Sequence, residues 1–149
     1  MTLYFLDASA WVKLYYNEPG RDRVEAIMAS TSPVLCSSLG VVEVHSSLAR
    51  QRRSNRITSS AHARAITELG QHPALTLIEM SSDVIAIAKL TAARYGLRAA
   101  DTVHLASAEY ARKMLAGDDD DVVIVSSDDE LNAAARMAGF AVINPADTV

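Results

Sequence analysis

The sequence predicts an α/β fold, a three-layer α/β/α sandwich around a central, mainly parallel five-stranded sheet. Short and nearly continuous apolar segments recur along the chain, as expected for strands that are covered on both faces of a parallel sheet. Longer segments with helical periodicity lie between them, and this strand–helix–strand repetition implies right-handed crossovers. The 149 residues, 50% of them hydrophobic, suit one globular domain. Because we find no linker or internal repeat, we predict a single domain over residues 1–149.

The predicted strands are the apolar segments with β-branched residues, and the predicted helices lie between them. The strands are residues 3–6, 34–37, 75–79, 122–126 and 141–143. The helices are residues 9–16, 21–30, 39–53, 59–70, 82–95, 99–115 and 129–138. The segment "NEPG" separates the first two helices, and Gly96 and Gly139 end the helices that precede them.

Composition excludes several classes of protein. The net charge of −4 lacks the basic excess that is usual for nucleic-acid-binding proteins, but composition alone leaves the partner open because local charge also matters. A single cysteine, Cys36, cannot form an internal disulfide or a four-ligand zinc site, and we predict that it is a small core residue. The N-terminus has no basic region typical of a signal peptide, and no segment approaches the roughly 20 apolar residues of a membrane span. We therefore expect a cytoplasmic protein with no membrane contact.

Four acidic residues stand at positions where an α/β sheet places its ligands. Asp7 follows the first strand, where a carboxylate is costly unless a cation or hydrogen bonds await it. Asp128 follows the fourth strand, Glu43 lies in about the first turn of the helix after the second strand, and Asp101 lies in the first turn of its helix. Ligands of open α/β sheets bind beyond the carboxyl ends of the strands. We therefore expect these four acids to converge at that edge.

Two interpretations of these acids remain open at the level of single residues. An acid in the first turn of a helix complements the helix dipole or caps the helix, which is sufficient for Asp101 or Asp128 taken singly. Four converging carboxylates, however, would repel one another unless a divalent cation neutralised them. Oxygen ligands favour Mg²⁺ or Mn²⁺ over zinc, and such an ion is suited to phosphate chemistry. The chain contains neither a P-loop nor a G-x-G-x-x-G segment, which disfavours binding of nucleoside triphosphates or dinucleotides.

The acids lie in segments that together resemble a known family. In chain order these are "FLDASAWVKLY", Glu43, "LRAADTVHLASA" and "VSSDDEL". They resemble the four motifs of the PIN-domain ribonucleases, and within that family the VapC-type toxins of toxin–antitoxin pairs. The resemblance covers nearly the whole chain, and residues 99–106 are its most specific part. Ala8 replaces a hydroxyl residue that is often found after the first aspartate, and Ser126 stands where threonine is common.

The resemblance implies a PIN-like fold and a set of catalytic residues. Asp7, Asp101 and Asp128 are expected to ligate Mg²⁺ or Mn²⁺, and Glu43 to act directly or through water. The implied activity is endonucleolytic cleavage of RNA by a homodimer that a cognate antitoxin protein inhibits. The departures at Ala8 and Ser126 affect no carboxylate, so we still expect an active enzyme.

Other residues are expected to surround these acids. By resemblance, Ser9 and Ser126 are polar neighbours of the site, and Arg98 is a candidate for contacting the substrate because it is close to Asp101. His104 follows Asp101 on the same helix face, where packing or local hydrogen bonding is the simpler interpretation than a general base. Trp11, Tyr15 and Tyr16 recur at helical spacing, and we expect core or dimer contacts rather than base stacking. Five arginines either form a solvated face or bind RNA phosphates or an acidic antitoxin segment: Arg50, Arg52, Arg53, Arg56 and Arg64.

Two other functions are compatible with parts of the sequence. A catalytically silent PIN-like module would bind RNA or a protein partner without cleaving it, but such a module is expected to lack one of the acids. A phosphatase or phosphoreceiver would use Asp7 as a covalent acceptor. That chemistry needs a further acid close to Asp7, and Ser9 occupies the position two residues on.

Overall fold

The computed structural model describes residues 1–71 and 75–148, and over these residues it confirms the predicted α/β architecture. This part of the chain contains five strands, seven α-helices and one 3-10 turn, Val12–Leu14. The strands are β1 (Thr2–Leu6), β2 (Val34–Ser37), β3 (Leu75–Ile78), β4 (Asp121–Val125) and β5 (Ala141–Ile143). The helices are α1 (Ala8–Trp11), α2 (Arg21–Met28), α3 (Ser38–Arg53), α4 (Ser59–Leu69), α5 (Ser82–Tyr95), α6 (Ala99–Met114) and α7 (Asp129–Met137).

All neighbouring strands run parallel, in the order β3-β2-β1-β4-β5. The chain first builds the sheet outward from β1 through β2 to β3, and then adds β4 on the other side of β1. In the register of the central strands, Leu6 lies opposite both Cys36 and Val125. The direction in which successive strands are added to the sheet therefore reverses between β1 and β4. In doubly wound sheets such a reversal opens a crevice at the carboxyl ends of the strands, and ligands bind there.

Two hydrophobic clusters lie on opposite faces of this sheet. Leu3 and Phe5 of β1 pack with residues of α5, α6 and α7. Leu6 of the same strand and Cys36 of β2 pack with residues of α1, α2, α3 and α4 on the other face. Alternate residues of a strand point to opposite faces, so both helix layers need apolar residues from the same strand. Cys36 is completely buried, as predicted.

The edge strands differ from the prediction that every strand is covered on both faces. Thr76 and Leu77 of β3 are exposed, and no residue of β5 is fully buried. An edge strand has a neighbour on one side only, and the helix layers leave part of each of these two strands uncovered. Apolar composition alone could not distinguish these two strands from the central ones.

The first predicted helix also differs from the observed structure. Instead of one helix over residues 9–16, the chain forms α1 and then tightens into the 3-10 turn Val12–Leu14. The other helices begin and end within about two residues of their predicted bounds. Within the described parts of the chain, none of the helices combines the length and the apolar character that a bilayer crossing would require.

Candidate active site

Asp7 lies at the end of β1 and is held there by hydrogen bonds. Its side chain caps α1, because the backbone N–H of Ala10 donates to Oδ1 over 3.0 Å. The hydroxyl of Ser9 lies 2.7 Å from Oδ1 and 2.9 Å from Oδ2, and Ser126 donates to Oδ2 over 2.7 Å. Only 3% of Asp7 is exposed. Burial raises the pKa of this carboxyl, and nearby His104 and the three donors oppose that shift.

The two hydroxyls are oriented by the backbone of the turn after β4. Ser127 N donates to Ser9 Oγ over 2.9 Å, and Asp128 N donates to Ser126 Oγ over 3.0 Å. A hydroxyl has one proton, so a group that accepts from the backbone keeps that proton for Asp7. The Ser9 hydroxyl can donate its proton to only one of the two carboxylate oxygens of Asp7 at a time. Asp7 therefore retains a lone pair for a further donor or a cation.

Asp128 is the junction between β4 and α7, as the sequence predicted. Its Oδ1 accepts a hydrogen bond from Leu131 N over 2.9 Å, and α7 begins at Asp129, which is exposed. Asn132, which the sequence did not single out, is buried and donates from Nδ2 to the carbonyl of Ser126 over 2.9 Å. The sequence feature that could have identified Asn132 is its spacing of four residues from Asp128. Asn132 ties α7 to the turn that orients the hydroxyls.

Asp101 lies in the first turn of α6 and close to two other acids. Partial burial raises its pKa to about 6, and repulsion from Asp128 adds to the shift. Asp7 acts in the same direction, whereas His104 and Arg98 oppose it. Asp101 is therefore within electrostatic reach of both Asp128 and Asp7. Arg98 is exposed at the position before α6, which agrees with its predicted proximity to Asp101.

Glu43 lies in the second turn of α3 and is bound to a histidine of α6. Its Oε1 is 2.5 Å from His104 Nε2, and His104 is 2% exposed. The imidazole also meets the Phe5 ring edge to face, with 6.4 Å between the ring centroids. Burial lowers the pKa of His104, but the bond to Glu43 and the carboxylates of Asp7 and Asp101 outweigh that effect and raise it. The bond to Glu43 is the local hydrogen bonding that the sequence predicted for His104.

The donor set suits a hard divalent cation, but the carboxylates do not already converge on one point. Asp7, Asp101 and Asp128 offer only oxygen, and their mutual repulsion would fall if a cation bound among them. Yet in residues 1–71 and 75–148, no group of three or more His, Cys, Asp or Glu side chains is arranged so as to hold a metal ion. Glu43 faces His104 and Asp128 faces the N-terminus of α7. Each of these two acids thus already uses one carboxylate oxygen in a hydrogen bond.

A cavity of about 530 Å³ opens on one side of these acids. Ser9, Glu43 and Ser127 form its border with the site, whereas Asp101 and Asp128 lie outside its lining. Lys13 and Tyr16 also line it, and the sequence did not predict a role at the site for either residue. Trp11 is buried in the core, as expected, but Tyr16 is only partly buried and faces this cavity.

The five arginines of the predicted basic cluster are all exposed. Arg50 lines the large cavity, and Arg52 and Arg53 line a smaller one of about 310 Å³ at the turn between α3 and α4. In the described part of the chain, the ion pairs involve other residues. This placement is compatible with both predicted alternatives, a solvated face and a binding surface.

Comparison with known proteins gives a consistent match. The model of the PIN domain family matches residues 4–137. The ribonuclease VapC45 of Mycobacterium tuberculosis is 37% identical over 109 residues, which span 72% of this chain and 76% of that protein.

Solved structures share the fold at lower identity. FitAcB from Neisseria gonorrhoeae has a TM-score of 0.67 and 21% identity, with 95% of this chain and 97% of that chain covered. A toxin–antitoxin complex from Klebsiella pneumoniae has a TM-score of 0.65 and 15% identity, with 97% and 99% covered. VapC20 of M. tuberculosis, described as a toxin that cleaves the sarcin-ricin loop, has a TM-score of 0.65 and 19% identity, with 95% and 99% covered.

Proposed function

The chain belongs to the PIN domain family, and from this premise we propose that it is a Mg²⁺- or Mn²⁺-dependent endoribonuclease, the toxin of a toxin–antitoxin pair. The observation that carries the proposal is the buried carboxylate of Asp7 at the end of β1, within electrostatic reach of Asp101 and connected through Ser126 Oγ to the backbone of Asp128. Such an accumulation of charge beyond the strands serves a cationic ligand better than it serves stability. The relative VapC45 is named a ribonuclease, which supports RNA as the substrate.

Each residue of the site has a part in this proposal. Asp7, Asp101 and Asp128 would hold the metal ion, with Glu43 acting directly or through water. When bound, the ion would lower the pKa of water and offset charge on the scissile phosphate. Ser9 and Ser126 hold Asp7 in place, and Ser126 also fixes the turn that carries Asp128.

We propose Arg98 as a contact of the substrate. Its guanidinium group is exposed and already lowers the pKa of Asp101, so it lies beside the acids and is free to meet a phosphate of the RNA backbone. Without such a cation, the acidic site would repel the substrate before metal binding. His104 keeps Glu43 at the edge of the cavity.

We also propose an antitoxin partner, a homodimer and action on RNA in the cytoplasm. One of the structures with this fold is a toxin–antitoxin complex, which supports a protein inhibitor. Exposed apolar side chains on α5, α6 and α7, including Leu90, Met114 and Met137, provide area for a contact between two copies.

The decisive experiment is cleavage of single-stranded RNA by the purified protein under control of the metal ion. We expect no cleavage in EDTA, and cleavage restored by Mg²⁺ or Mn²⁺ in molar excess over the chelator. The Asp7→Asn variant should be inactive under all conditions, and Glu25→Gln on the exposed face of α2 is the matched control. Cleavage that persists in excess chelator would contradict the metal-dependent mechanism.

A second candidate function is a catalytically silent PIN-like module that binds RNA or a partner. It is favoured by one observation: in the described residues, Asp7, Glu43 and Asp128 are engaged in hydrogen bonds, and the acids are not grouped around a metal position. This candidate predicts RNA binding without cleavage at any concentration of Mg²⁺ or Mn²⁺. The same experiment, with a binding measurement added, separates the two functions.

A further inference from the structure

The cavity beside the acids has the size, position and lining of a substrate subsite. We propose that it binds one unstacked nucleobase of single-stranded RNA, next to the scissile phosphodiester, and that Lys13 and Glu18 recognise that base. The inference rests on the proposed function. At about 530 Å³ the cavity lies in the range of ligand pockets, roughly 300–1,000 Å³. Because it borders Ser9 and Glu43 but not Asp101 or Asp128, it lies to one side of the reacting group.

Lys13 and Glu18 provide polar groups at a fixed position in this cavity. Lys13 Nζ is 3.1 Å from Glu18 Oε2, and both residues line the cavity. The Lys13 side chain is 5% exposed and that of Glu18 is 35% exposed. A buried ammonium group needs a partner, which explains the ion pair, but one carboxylate oxygen uses only part of its donor capacity. The pair therefore presents a hydrogen-bond donor and an acceptor side by side.

Tyr16 and Ser47 provide a second wall. Their hydroxyl oxygens are 3.1 Å apart, and both residues line the cavity, Tyr16 from the segment after the 3-10 turn and Ser47 from α3. This bond restrains the tyrosine ring, which is partly buried against the core. Aromatic rings are the usual stacking surface for bases of single-stranded RNA. Tyr16 makes the core contact that the sequence predicted, and in this proposal its ring also offers a stacking surface.

The charges of the lining favour a base over a phosphate. Two cations, Lys13 and Arg50, are balanced by two carboxylates, Glu18 and Glu43. The two cations would attract a phosphate, and the two carboxylates would repel it to a similar extent. A neutral base gains from both, because its edge carries donors as well as acceptors and its faces are apolar. Alanine, valine and proline side chains in the same lining meet those faces.

The segment after β5 forms the remaining wall of the cavity and is held in place by hydrogen bonds. Asn144 Oδ1 accepts from Ser127 Oγ over 3.1 Å and from Ala146 N over 3.0 Å, and Ala146 lines the cavity. Gly20 allows this segment to approach: it has φ +90°, and a Cβ there would lie 2.3 Å from the carbonyl oxygen of Pro145. The subsite is thus formed in advance, so that a base binds with little ordering of the protein.

The test compares Glu18→Gln and Lys13→Met with matched exposed controls, Glu25→Gln on α2 and Lys89→Met on α5. A randomised single-stranded RNA is cleaved in Mn²⁺, and sequencing of the product ends gives the base preference at each position around the cut. Binding of four short RNAs that differ at the preferred position is then measured by fluorescence anisotropy. This second measurement uses the wild-type protein in EDTA and an Asp101→Asn background in Mn²⁺.

We expect the wild type to prefer one base at one position next to the cut, and both cavity variants to reduce that discrimination about tenfold. The controls should keep the preference, and thermal unfolding should confirm that all four variants are folded. Active variants with an unchanged preference, or a wild type with none, would overturn the subsite and leave the nuclease function intact. Discrimination in binding without any cleavage would support the subsite and refute the nuclease. Neither binding nor cleavage would refute both.

Discussion

Ser126 Oγ donates a 2.7 Å hydrogen bond to Asp7 Oδ2 and thereby joins the ends of the neighbouring strands β1 and β4. The same oxygen accepts a hydrogen bond from Asp128 N. One hydroxyl group thus connects two of the predicted metal ligands at the point where the sheet reverses its direction of building.

Replacing this hydroxyl should affect both acids. We expect Ser126→Ala to cost about 1–3 kcal/mol in the free energy of unfolding, because it removes one donor from a buried carboxylate and leaves the backbone N–H of Asp128 without its acceptor. Loss of the donor should also raise the pKa of Asp7 further and reduce cleavage. Ser126→Thr keeps the hydroxyl and should restore both properties. Urea denaturation and a cleavage assay provide the measurements, and an alanine variant as stable as the wild type would contradict the role of this bond.

Asp128 and Asp129 are adjacent but should differ in importance. Asp128→Asn retains a good helix cap, so α7 should remain intact while the charge is lost. We expect cleavage to fall at least tenfold, about 1.4 kcal/mol in transition-state stabilisation. Asp129→Asn, in the exposed first turn, should retain most activity. Both purified variants are compared at saturating Mn²⁺, and the reverse ranking would show that Asp129 is the functional acid.

Asp101→Asn should separate activity from stability. The raised pKa of Asp101, about 6 against an ordinary value of 3.8, means that the folded protein holds this proton more tightly than the unfolded chain does. In the absence of metal, the wild type should therefore lose stability as the pH rises from about 4 through about 6. The asparagine variant lacks this loss and should be the more stable protein at pH 7, although inactive.

The measurement for Asp101 is the unfolding temperature of both proteins in EDTA between pH 4.5 and 7.5. A variant that is less stable than the wild type at every pH would favour a structural role of Asp101 at the start of α6.

Glu43 and His104 should respond differently to substitution. Glu43→Gln should lower cleavage and leave stability within about 1 kcal/mol, because the side chain is partly exposed and an amide can still bond to the imidazole. His104→Ala should lower both, since it removes a buried ring and the partner of Glu43. Cleavage rates and denaturation midpoints of the two variants test this. Full activity of a folded His104→Ala variant would show that Glu43 needs no positioning.

The exposed arginines Arg52, Arg53 and Arg56 can be tested as a group. If they bind RNA phosphates, the triple alanine variant should bind RNA more weakly, and the slope of log affinity against log salt should fall by about 0.7 for each lost contact. If they bind an acidic antitoxin segment, antitoxin affinity should fall instead. Arg136→Ala on α7 is the control. Unchanged affinity for both partners would assign these arginines to a solvated face.

The sequence by itself determined the elements and the residues at their junctions. Apolar segments located all five strands, and the spacing of Leu131, Ala134 and Ala135 placed the start of α7 at Asp129, so that Asp128 was identified as the junction. These features follow from local rules of periodicity and capping, which act within a few residues of one another. The prediction that Asp7 has a binding partner also came from a local feature, because a carboxylate at the end of an apolar strand must have a partner.

Only the tertiary structure decided which residues are the partners of these side chains. Glu43 and His104 are 61 positions apart, and they meet because α3 and α6, from different layers, approach each other beside the sheet. Tyr16 and Ser47, 31 positions apart, meet because the segment after the 3-10 turn packs beside α3 within one layer, and they form a wall of the cavity. Strand order is likewise not specified by alternation along the chain, so the exposed edge position of β3 could not be predicted. Such contacts depend on how whole elements pack against each other, and no local pattern records that packing.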